Sequence, residues 1–368
     1  MAFGEVRLVG HLIGLFSFDV GHAIDVERVR RILGSGPTKA PPERRRAAPS
    51  HLAYSIPPVR LDLEPCEVPV GALRVRAEAE ARVHEFGAVS IVLTAPLSSD
   101  VDALPELTAT LTGAGPWEDA ARTCLDMLRE RIRPAISKPA IADVVEDYYV
   151  IQADRLEPGL SIDELVARSQ GPLASALRCE PQPLSDAETE DVFRTRLSYY
   201  PDDLVVTEWN VALVVDDTDY GATIEVLEYL NVQLVELRYY DALLDRRVAD
   251  FEDLLEVRAS GVALWNRAQR RQVNELAAIR LDVATIVERV NNALKLSGDQ
   301  YLAKVYQRTA DRLSLRAWTE SVSRKLDVLN QMYEVVVERT AVARSEVLEL
   351  TIIALIAVEI ALFLAGWG

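Results

Sequence analysis

The pattern of apolar and polar positions changes along the chain, and the change comes near residue 217. Before that point, apolar segments of strand length alternate with amphipathic segments of helix length. The clearest strand is Leu73–Val83, where small apolar residues alternate with arginine and glutamate, as one buried face requires. Gly87 suits the following turn because glycine accepts a positive φ. Further strands are predicted at Val6–Phe18, Ala88–Thr94, Asp147–Ala153 and Leu204–Val215.

Helices are predicted between these strands from their periodicity and from the residues that precede them. Asp25 and Ser161 stand where an N-cap accepts a backbone N–H of the first turn, each ahead of an amphipathic segment. Another helix is predicted over Trp117–Ile132. The order is approximately β-α-β-β-α-β-α-β, so we predict an α+β fold, a ferredoxin-like mixed sheet and helix domain, over residues 1–216.

From residue 217 onward the pattern becomes helical. Apolar residues recur at spacings of three and four, which predicts a coiled-coil seam formed by Leu227, Leu230, Leu234, Leu237, Leu244, Val248 and Phe251. A second helix after Gly261 and a third from Leu315 repeat this spacing, with a turn at Gly298. We therefore predict an all-α coiled-coil stalk over residues 217–347.

The last segment, Leu350–Ala365, holds sixteen residues with one charge, Glu359. A helix over 348–368 is about 30 Å long, which predicts one C-terminal transmembrane helix. Arg344 precedes this helix and Trp367 would lie at its far interface, which predicts a single-pass inner-membrane protein with its N-terminal domain in the cytoplasm. The alternative is a helix buried in an oligomer, because a carboxylate is costly inside a bilayer.

Composition narrows the classes of partner. The 57 acidic and 40 basic residues give a net charge of −17. Binding to nucleic acid is therefore disfavoured, because phosphate contacts need clustered lysine and arginine. Cys66, Cys124 and Cys179 show no CxxC spacing, so neither a disulfide framework nor a zinc site is predicted. The four histidines form no ligand pair, and no metal or cofactor is expected.

The sequence carries no recognised catalytic motif. A phosphate-binding glycine loop, a nucleophile elbow and a zinc-protease motif are all absent, so no catalytic residue is assigned and the chain is not expected to be an enzyme. An acid–base role for Glu85 or Asp147 stays open as a third hypothesis. The acidic run 216–219 fits a helix N-cap better than a calcium loop, because, counted from Asp217, the glycine at 221 stands one position too early.

The C-terminal segment and two internal segments carry a family resemblance. Arg344–Ile360 resembles the C-terminal signature of the membrane family that contains the "required for meiotic nuclear division" proteins. Phe86–Val89 is similar to the aromatic-glycine-apolar strand motif of that family, and Glu225–Leu255 resembles its long helix. The Phe-Trp pair that commonly follows the strand motif is replaced by Ser90–Ile91. The resemblance implies a divergent bacterial member that is membrane-tethered and self-associating, without an established catalytic activity.

These features favour a scaffold that presents its own domain to a partner, rather than an enzyme. We expect a membrane-anchored, self-associating scaffold that forms a homo-oligomer and offers its N-terminal domain to a protein partner. The alternative is a transport-related, cation channel-like membrane protein in which Glu359 lines a pore. The Gly-Met-Asn loop of the magnesium channels is absent from the sequence, which weighs against that alternative.

Overall fold

The computed structural model describes residues 6–34, 58–139, 144–218, 220–258, 279–281, 283–284, 288 and 299–364. The strands in these ranges are β1 (Arg7–Asp19), β2 (Gly21–Ile24), β3 (Val59–Val70), β4 (Leu73–Val83), β5 (Ala88–Asp100), β6 (Ile136–Pro139), β7 (Val145–Glu157), β8 (Leu204–Thr207) and β9 (Val211–Val215). The helices are α1 (Val26–Leu33), α2 (Leu104–Ala109), α3 (Pro116–Ile132), α4 (Ile162–Leu177), α5 (Asp186–Phe193), α6 (Tyr220–Arg258), α7 (Gln300–Arg312) and α8 (Leu315–Leu364).

Seven strands form one mixed sheet in the order β3-β4-β5-β1-β7-β9-β8. All neighbours are antiparallel except β7 and β9, which are parallel. Strands β2 and β6 pair separately. The predicted ferredoxin-like topology, which has four strands, is therefore wrong. Strand β3 escaped prediction because it is an edge strand whose residues are mostly exposed or half-buried, so its sequence lacks a clean apolar alternation.

Several local predictions are confirmed by the structure. Strand β4 has the predicted bounds, and helix α4 begins after Ser161 with a capping box in which Ser161 and Glu164 bond reciprocally. Asp25 caps α1 by accepting the backbone N–H of Arg28 at 2.9 Å. Gly87 adopts a φ of +99° in the turn before β5. Short-range signals therefore located these elements correctly.

Helices cover both faces of the sheet. On one face, Phe16 and Ile91 of the strands pack with Trp117 and Leu128 of α3 in a continuous core. On the other face, Asn231 of α6 donates from Nδ2 to the carbonyl of Leu15 at 3.1 Å and to that of Glu146 at 2.9 Å. A buried amide that satisfies strand carbonyls fixes α6 against the central strands β1 and β7.

Helix α6 is not part of a coiled-coil stalk. Every residue from 222 to 237 is buried, whereas a coiled-coil seam buries about two positions in seven. The sheet lies on one side of this helix, and α7 lies on another, where Tyr306 Oη donates to Gln233 Oε1 at 2.8 Å. Four predicted seam residues therefore belong to a globular core, and the stalk prediction is wrong for Leu227, Leu230, Leu234 and Leu237.

Helix α8 runs for 50 residues without interruption, and its sequence contains neither glycine nor proline. Among the described residues, no helix is long and apolar enough to cross a membrane. Glu349 and Glu359 confine the uncharged stretch between them to 350–358, and a span needs about 20 apolar residues. The predicted transmembrane helix, membrane anchor and inner-membrane location are therefore wrong, and the roles given there to Arg344 and Trp367 lose their basis.

The chain divides into two compact units. The first unit comprises Met1–Tyr239 and Glu288–Trp318, and the second comprises Tyr240–Val287 and Thr319–Gly368. Within the second unit, Lys325 Nζ lies 2.8 Å from Asp241 Oδ1 and 2.7 Å from Asp245 Oδ1, which joins α8 to α6. The domain boundaries predicted after residues 216 and 347 stay predictions.

Candidate functional site

A cavity of about 680 Å³ opens in the first unit between the sheet and the first turns of α6. We call it the cleft. Strands β1, β3, β4 and β5 form its floor, and residues 220–225 of α6 form a wall. Its charged lining consists of Arg60, Asp62, Glu78, Glu80, Arg82 and Glu225. Its apolar lining consists of Ile13, Leu63, Pro65, Ala79, Val92 and Ile224, so the cleft combines charge with aliphatic surface.

Strand alternation and register place the charges in the cleft. On β4, Glu78, Glu80 and Arg82 line the cleft, whereas the residues between them are mostly small and buried. The antiparallel register sets Asp62 opposite Glu80 and Arg60 opposite Arg82. Like charges directly opposite on neighbouring strands destabilise a sheet, so this arrangement requires opposite charges nearby.

Ion pairs between the sheet and α6 supply part of that compensation. Arg60 Nη2 lies 2.7 Å from Glu225 Oε1. Arg82 contacts Glu80 Oε1 through Nε at 2.6 Å and Glu228 Oε2 through Nη1 at 3.4 Å. Both arginines are therefore held by carboxylates of this chain, and two of those carboxylates come from the first turns of α6.

The Arg82–Glu228 pair continues beneath the cleft to a histidine. His84 Nε2 and Glu228 Oε1 are 3.1 Å apart, and each of these side chains is 1% exposed. Although burial opposes ionisation, the hydrogen bond with His84 and the charge of Arg82 lower the pKa of Glu228 to about 2. Against its own desolvation, the charges of Glu228 and Glu80 raise the pKa of Arg82. Glu228 is therefore a fixed negative charge at neutral pH.

The charge balance of the cleft is negative. Its lining holds two arginines and four carboxylates, and both arginines already contact carboxylates. Asp62 and Glu78 are exposed carboxylates of this lining. Asp62 also faces Glu80 across the strand pair, which concentrates negative potential on one side of the cleft. Such a site is chemically complementary to a cation carried on an apolar stem.

The carboxylates of the cleft do not form a metal centre. Among the residues that the structure describes, no group of three or more histidine, cysteine, aspartate or glutamate side chains is placed to hold a metal ion. The cleft carboxylates are instead distributed over two strands and a helix, with arginines between them. The negative potential is therefore spread over a surface rather than focused on one point.

A second buried ion-pair network joins helix ends in the first unit. The side chain of Glu208, in the turn between β8 and β9, is fully buried, and its Oε1 lies 2.9 Å from Arg312 Nη2. Its Oε2 lies 3.5 Å from Arg178 Nε. Both arginines also contact Asp191, at 2.8 and 3.0 Å. These charges connect α4, α5 and α7 to the β8–β9 turn, which indicates a structural role.

The remaining residues singled out from the sequence lie away from the cleft. In the second unit, Leu244 is buried and Val248 is half-buried. Glu359 is exposed on α8. Outside the described side chains lie Phe251, Arg344 and Trp367. Contacts of these residues in an oligomer stay predictions.

The sequence alone did not reveal the cleft. A usable signal was present in α6, where Glu225 and Glu228 are carboxylates one turn apart in an otherwise apolar segment. A second signal was the row of alternating charges on β4. Neither signal shows which residues meet in the cleft. Arg60 and Glu225 are far apart in the sequence, and they meet only through the topology of the sheet.

Comparisons with known proteins overturn the earlier family resemblance. The family model described as "Uncharacterized protein MJ0711, N-terminal domain" matches residues 9–221, more than half of the chain. "Uncharacterized protein MJ0711" of Methanocaldococcus jannaschii is 22% identical over 204 residues, which are 55% of this chain and 62% of that protein. The matched part is thus less than two thirds of the relative's length.

No solved structure matches the chain. Nothing in these comparisons indicates the family of the "required for meiotic nuclear division" proteins, so that assignment is wrong. The family model extends from β1 into the first turn of α6, and it therefore includes every strand that lines the cleft. The chain belongs to the family defined by the N-terminal domain of protein MJ0711.

Proposed function

We propose that this chain is a non-catalytic binding protein whose cleft takes a basic side chain of a protein partner. The observation that carries the proposal is the net negative charge of the cleft lining, which sets four carboxylates against two arginines on a partly aliphatic surface. A guanidinium or ammonium group satisfies such carboxylates by charge-assisted hydrogen bonds, while its methylene stem packs on apolar lining.

The size of the cleft is consistent with this ligand. Its volume of about 680 Å³ lies within the range of roughly 300–1,000 Å³ that is usual for sites of small organic groups. Asp62 and Glu78 are exposed, so an arriving cation meets them without rearrangement of the core. The net charge of −17 also favours encounter with a basic partner.

Neutralising the exposed carboxylates of the cleft is expected to weaken binding of a basic peptide. The probe is tetra-arginine amide, titrated by calorimetry at low ionic strength. The double variant Asp62→Asn/Glu78→Gln removes two charges, so we expect the dissociation constant to rise by roughly tenfold. The wild-type affinity is also expected to fall with added salt, because these carboxylates are solvent-accessible.

The matched control also removes two carboxylate charges, but from a helix on the opposite side of the sheet. Asp126 and Glu130 are exposed on α3, so the variant Asp126→Asn/Glu130→Gln is expected to bind the peptide as the wild type does. Agmatine carries a guanidinium on a short free stem. If agmatine binds more tightly than tetra-arginine amide, the ligand of the cleft is a small molecule rather than a peptide. Equal affinities of the cleft variant and the control variant would contradict the proposal.

We also propose that the second unit brings copies of the chain together. The observation that favours self-association is a cluster of exposed apolar residues on α8, namely Ile352, Ile353, Leu355, Ile356, Val358 and Ile360, each 49–64% exposed. A concentration of large aliphatic side chains on a surface is typical of a protein interface. A homo-oligomer of helices buries such residues most completely, because they lie on more than one side of the helix.

Charges introduced into this cluster are expected to dissociate the oligomer. The variant Ile353→Glu/Ile356→Glu places two carboxylates in the proposed interface, so we expect the mass measured by analytical ultracentrifugation to fall to that of one chain. Val328→Glu is the control, because Val328 is a singly exposed apolar residue of the same helix, outside the cluster. A wild-type protein that is already monomeric at micromolar concentration would rule out this second function.

A further inference from the structure

A cluster of polar side chains lies on β1 and β7, on the face of the sheet that α6 covers. Strand alternation places His11 on the same face as Ser17, whose Oγ accepts a hydrogen bond from Asn231 of α6. His11 pairs directly with Gln152 of β7, and its Nδ1 lies 2.9 Å from Gln152 Oε1. Asp154 Oδ2 lies 3.8 Å from the same Nδ1. These side chains form a hydrogen-bonded group that the description of the cleft has not used.

A bulge in β7 brings Asp154 into this cluster. Gly10 pairs with Ala153 and the residue before Gly10 pairs with Arg155, so Asp154 is an extra residue on β7. A Cβ at Gly10 would lie 2.3 Å from the carbonyl oxygen of Gln152 and 2.9 Å from Ala153 Cα. The close approach of β1 to the bulge therefore requires glycine at this position. The backbone of both strands thus fixes the arrangement.

The hydrogen bonds of Gln152 determine which ring nitrogen of His11 carries the proton. Gln152 is fully buried, and its Nε2 donates to Asp154 Oδ1 at 2.8 Å and to the carbonyl of Asp216 at 3.0 Å. These two acceptors set the orientation of the amide and leave Oε1 as an acceptor. His11 Nδ1 must donate to this oxygen. In the neutral imidazole, Nε2 is therefore the nitrogen with a free lone pair.

His11 borders the cleft through Tyr220. The two rings are stacked, with centroids 6.5 Å apart and an interplanar angle of 28°, and Tyr220 lines the cleft. Ile13, two residues after His11 on the same face of β1, also lines the cleft. The side chain of His11 is 34% exposed, and within the described part of the chain its Nε2 has no hydrogen-bond partner. An oriented acceptor is thus available beside the cleft.

We propose that His11 is a binding residue of the cleft and that its Nε2 accepts a hydrogen bond from an N–H of the bound cation. The inference rests on the proposed function and narrows the ligand to cations that carry N–H donors. A guanidinium has five such donors and an ammonium has three, so either group can satisfy a carboxylate and His11 together. A quaternary ammonium has none, and we expect the cleft to disfavour it for that reason.

The test compares two variants of His11 in the full chain, titrated with tetra-arginine amide at low ionic strength and pH 8, where histidine is ordinarily neutral. His11→Asn keeps an amide N–H near the position of Nδ1 but has no acceptor near that of Nε2. We expect its dissociation constant to rise by roughly tenfold. His11→Gln places an amide oxygen near the position of Nε2. Its dissociation constant is expected to stay within about threefold of the wild-type value.

The matched control is His22→Asn, the same change at an exposed histidine of β2 outside the cleft lining, and it is expected to bind as the wild type does. A wild type that does not bind the peptide would overturn both the proposed function and this inference. If His11→Asn binds as the wild type does while Asp62→Asn/Glu78→Gln binds more weakly, only this inference fails. It also fails if His11→Gln binds as weakly as His11→Asn, because the imidazole would then contribute packing and not an acceptor.

Discussion

Replacing Glu228 with glutamine is expected to lower the free energy of unfolding by about 3 kcal/mol, because it leaves the buried Arg82 without its second carboxylate. The side chains of Glu228 and His84 are each 1% exposed, and that of Arg82 is 8% exposed. The fall of the Glu228 pKa from 4.5 to about 2 gives a similar figure, about 3 kcal/mol, by linkage. Chemical denaturation measures the difference.

The control for this prediction is Glu78→Gln, the same chemical change at an exposed carboxylate of β4. It is expected to alter the free energy of unfolding by less than about 0.5 kcal/mol. If the two glutamine variants unfold at the same denaturant concentration, the buried network contributes nothing beyond ordinary surface charge. The two variants differ in burial and in ion pairing, and those are the properties under test.

The Glu228 prediction also fixes a dependence on pH. The folded-state pKa lies below the ordinary value, so the contribution of Glu228 to stability is fully present above pH 4.5 and is lost as the pH falls toward about 2. The difference in stability between wild type and Glu228→Gln should therefore shrink over this window. A difference that stays constant down to pH 2 would show that ionised Glu228 does not stabilise the fold.

The second large effect is expected for Gly87→Ala, which should cost more than about 4 kcal/mol or prevent folding. Gly87 has a φ of +99°, and a Cβ added there would lie 1.7 Å from the carbonyl oxygen of Gly21. That contact is with backbone, and the Gly87 carbonyl accepts the N–H of Val20 at 3.0 Å, so the turn cannot move away freely. Circular dichroism during denaturant titration provides the measurement.

Gly71→Ala separates the steric effect from the backbone effect. Gly71 also has a positive φ, +59°, but an added Cβ meets no atom within 4 Å. Only the left-handed conformation is then penalised, and the expected cost is about 1–2 kcal/mol. Similar losses of stability in the two alanine variants would mean that the contact between Gly87 and Gly21 is not as close as described.

Local signals in the sequence determined much of the first unit. The alternation in β4, the capping box at Ser161 and the turn at Gly87 each depend on neighbouring residues, so they can be read without the fold. Strand β3 could not be predicted in the same way. It is held at the edge of the sheet by pairing with β4, and its own side chains are mostly exposed or half-buried.

The errors share a physical cause, since apolar periodicity reports burial but not what buries a residue. Leu227 and Leu230 have the spacing of a coiled-coil seam, yet a sheet and a second helix enclose their helix. The apolar C-terminal segment likewise favours burial of its side chains without showing what would bury them. Glu359 interrupts this segment and shortens its uncharged stretch. An interior between sheet and helices, a helix bundle and a bilayer all select similar residues.

The cleft depends on contacts that no local pattern contains. Arg60 reaches Glu225 only because β3 and the start of α6 meet on one face of the sheet. The register that sets Asp62 opposite Glu80 is likewise a property of the paired strands.

The central claim is that the cleft binds a basic group, and mapping the location of the bound probe tests it most directly. Hydrogen exchange of the full chain is measured by mass spectrometry with and without tetra-arginine amide. The account predicts slower exchange in the segments that line the cleft, Val59–Val70 of β3 and residues 220–225 of α6, with no change in α3. Protection confined to segments outside the cleft, or no protection at saturating peptide, would contradict the account.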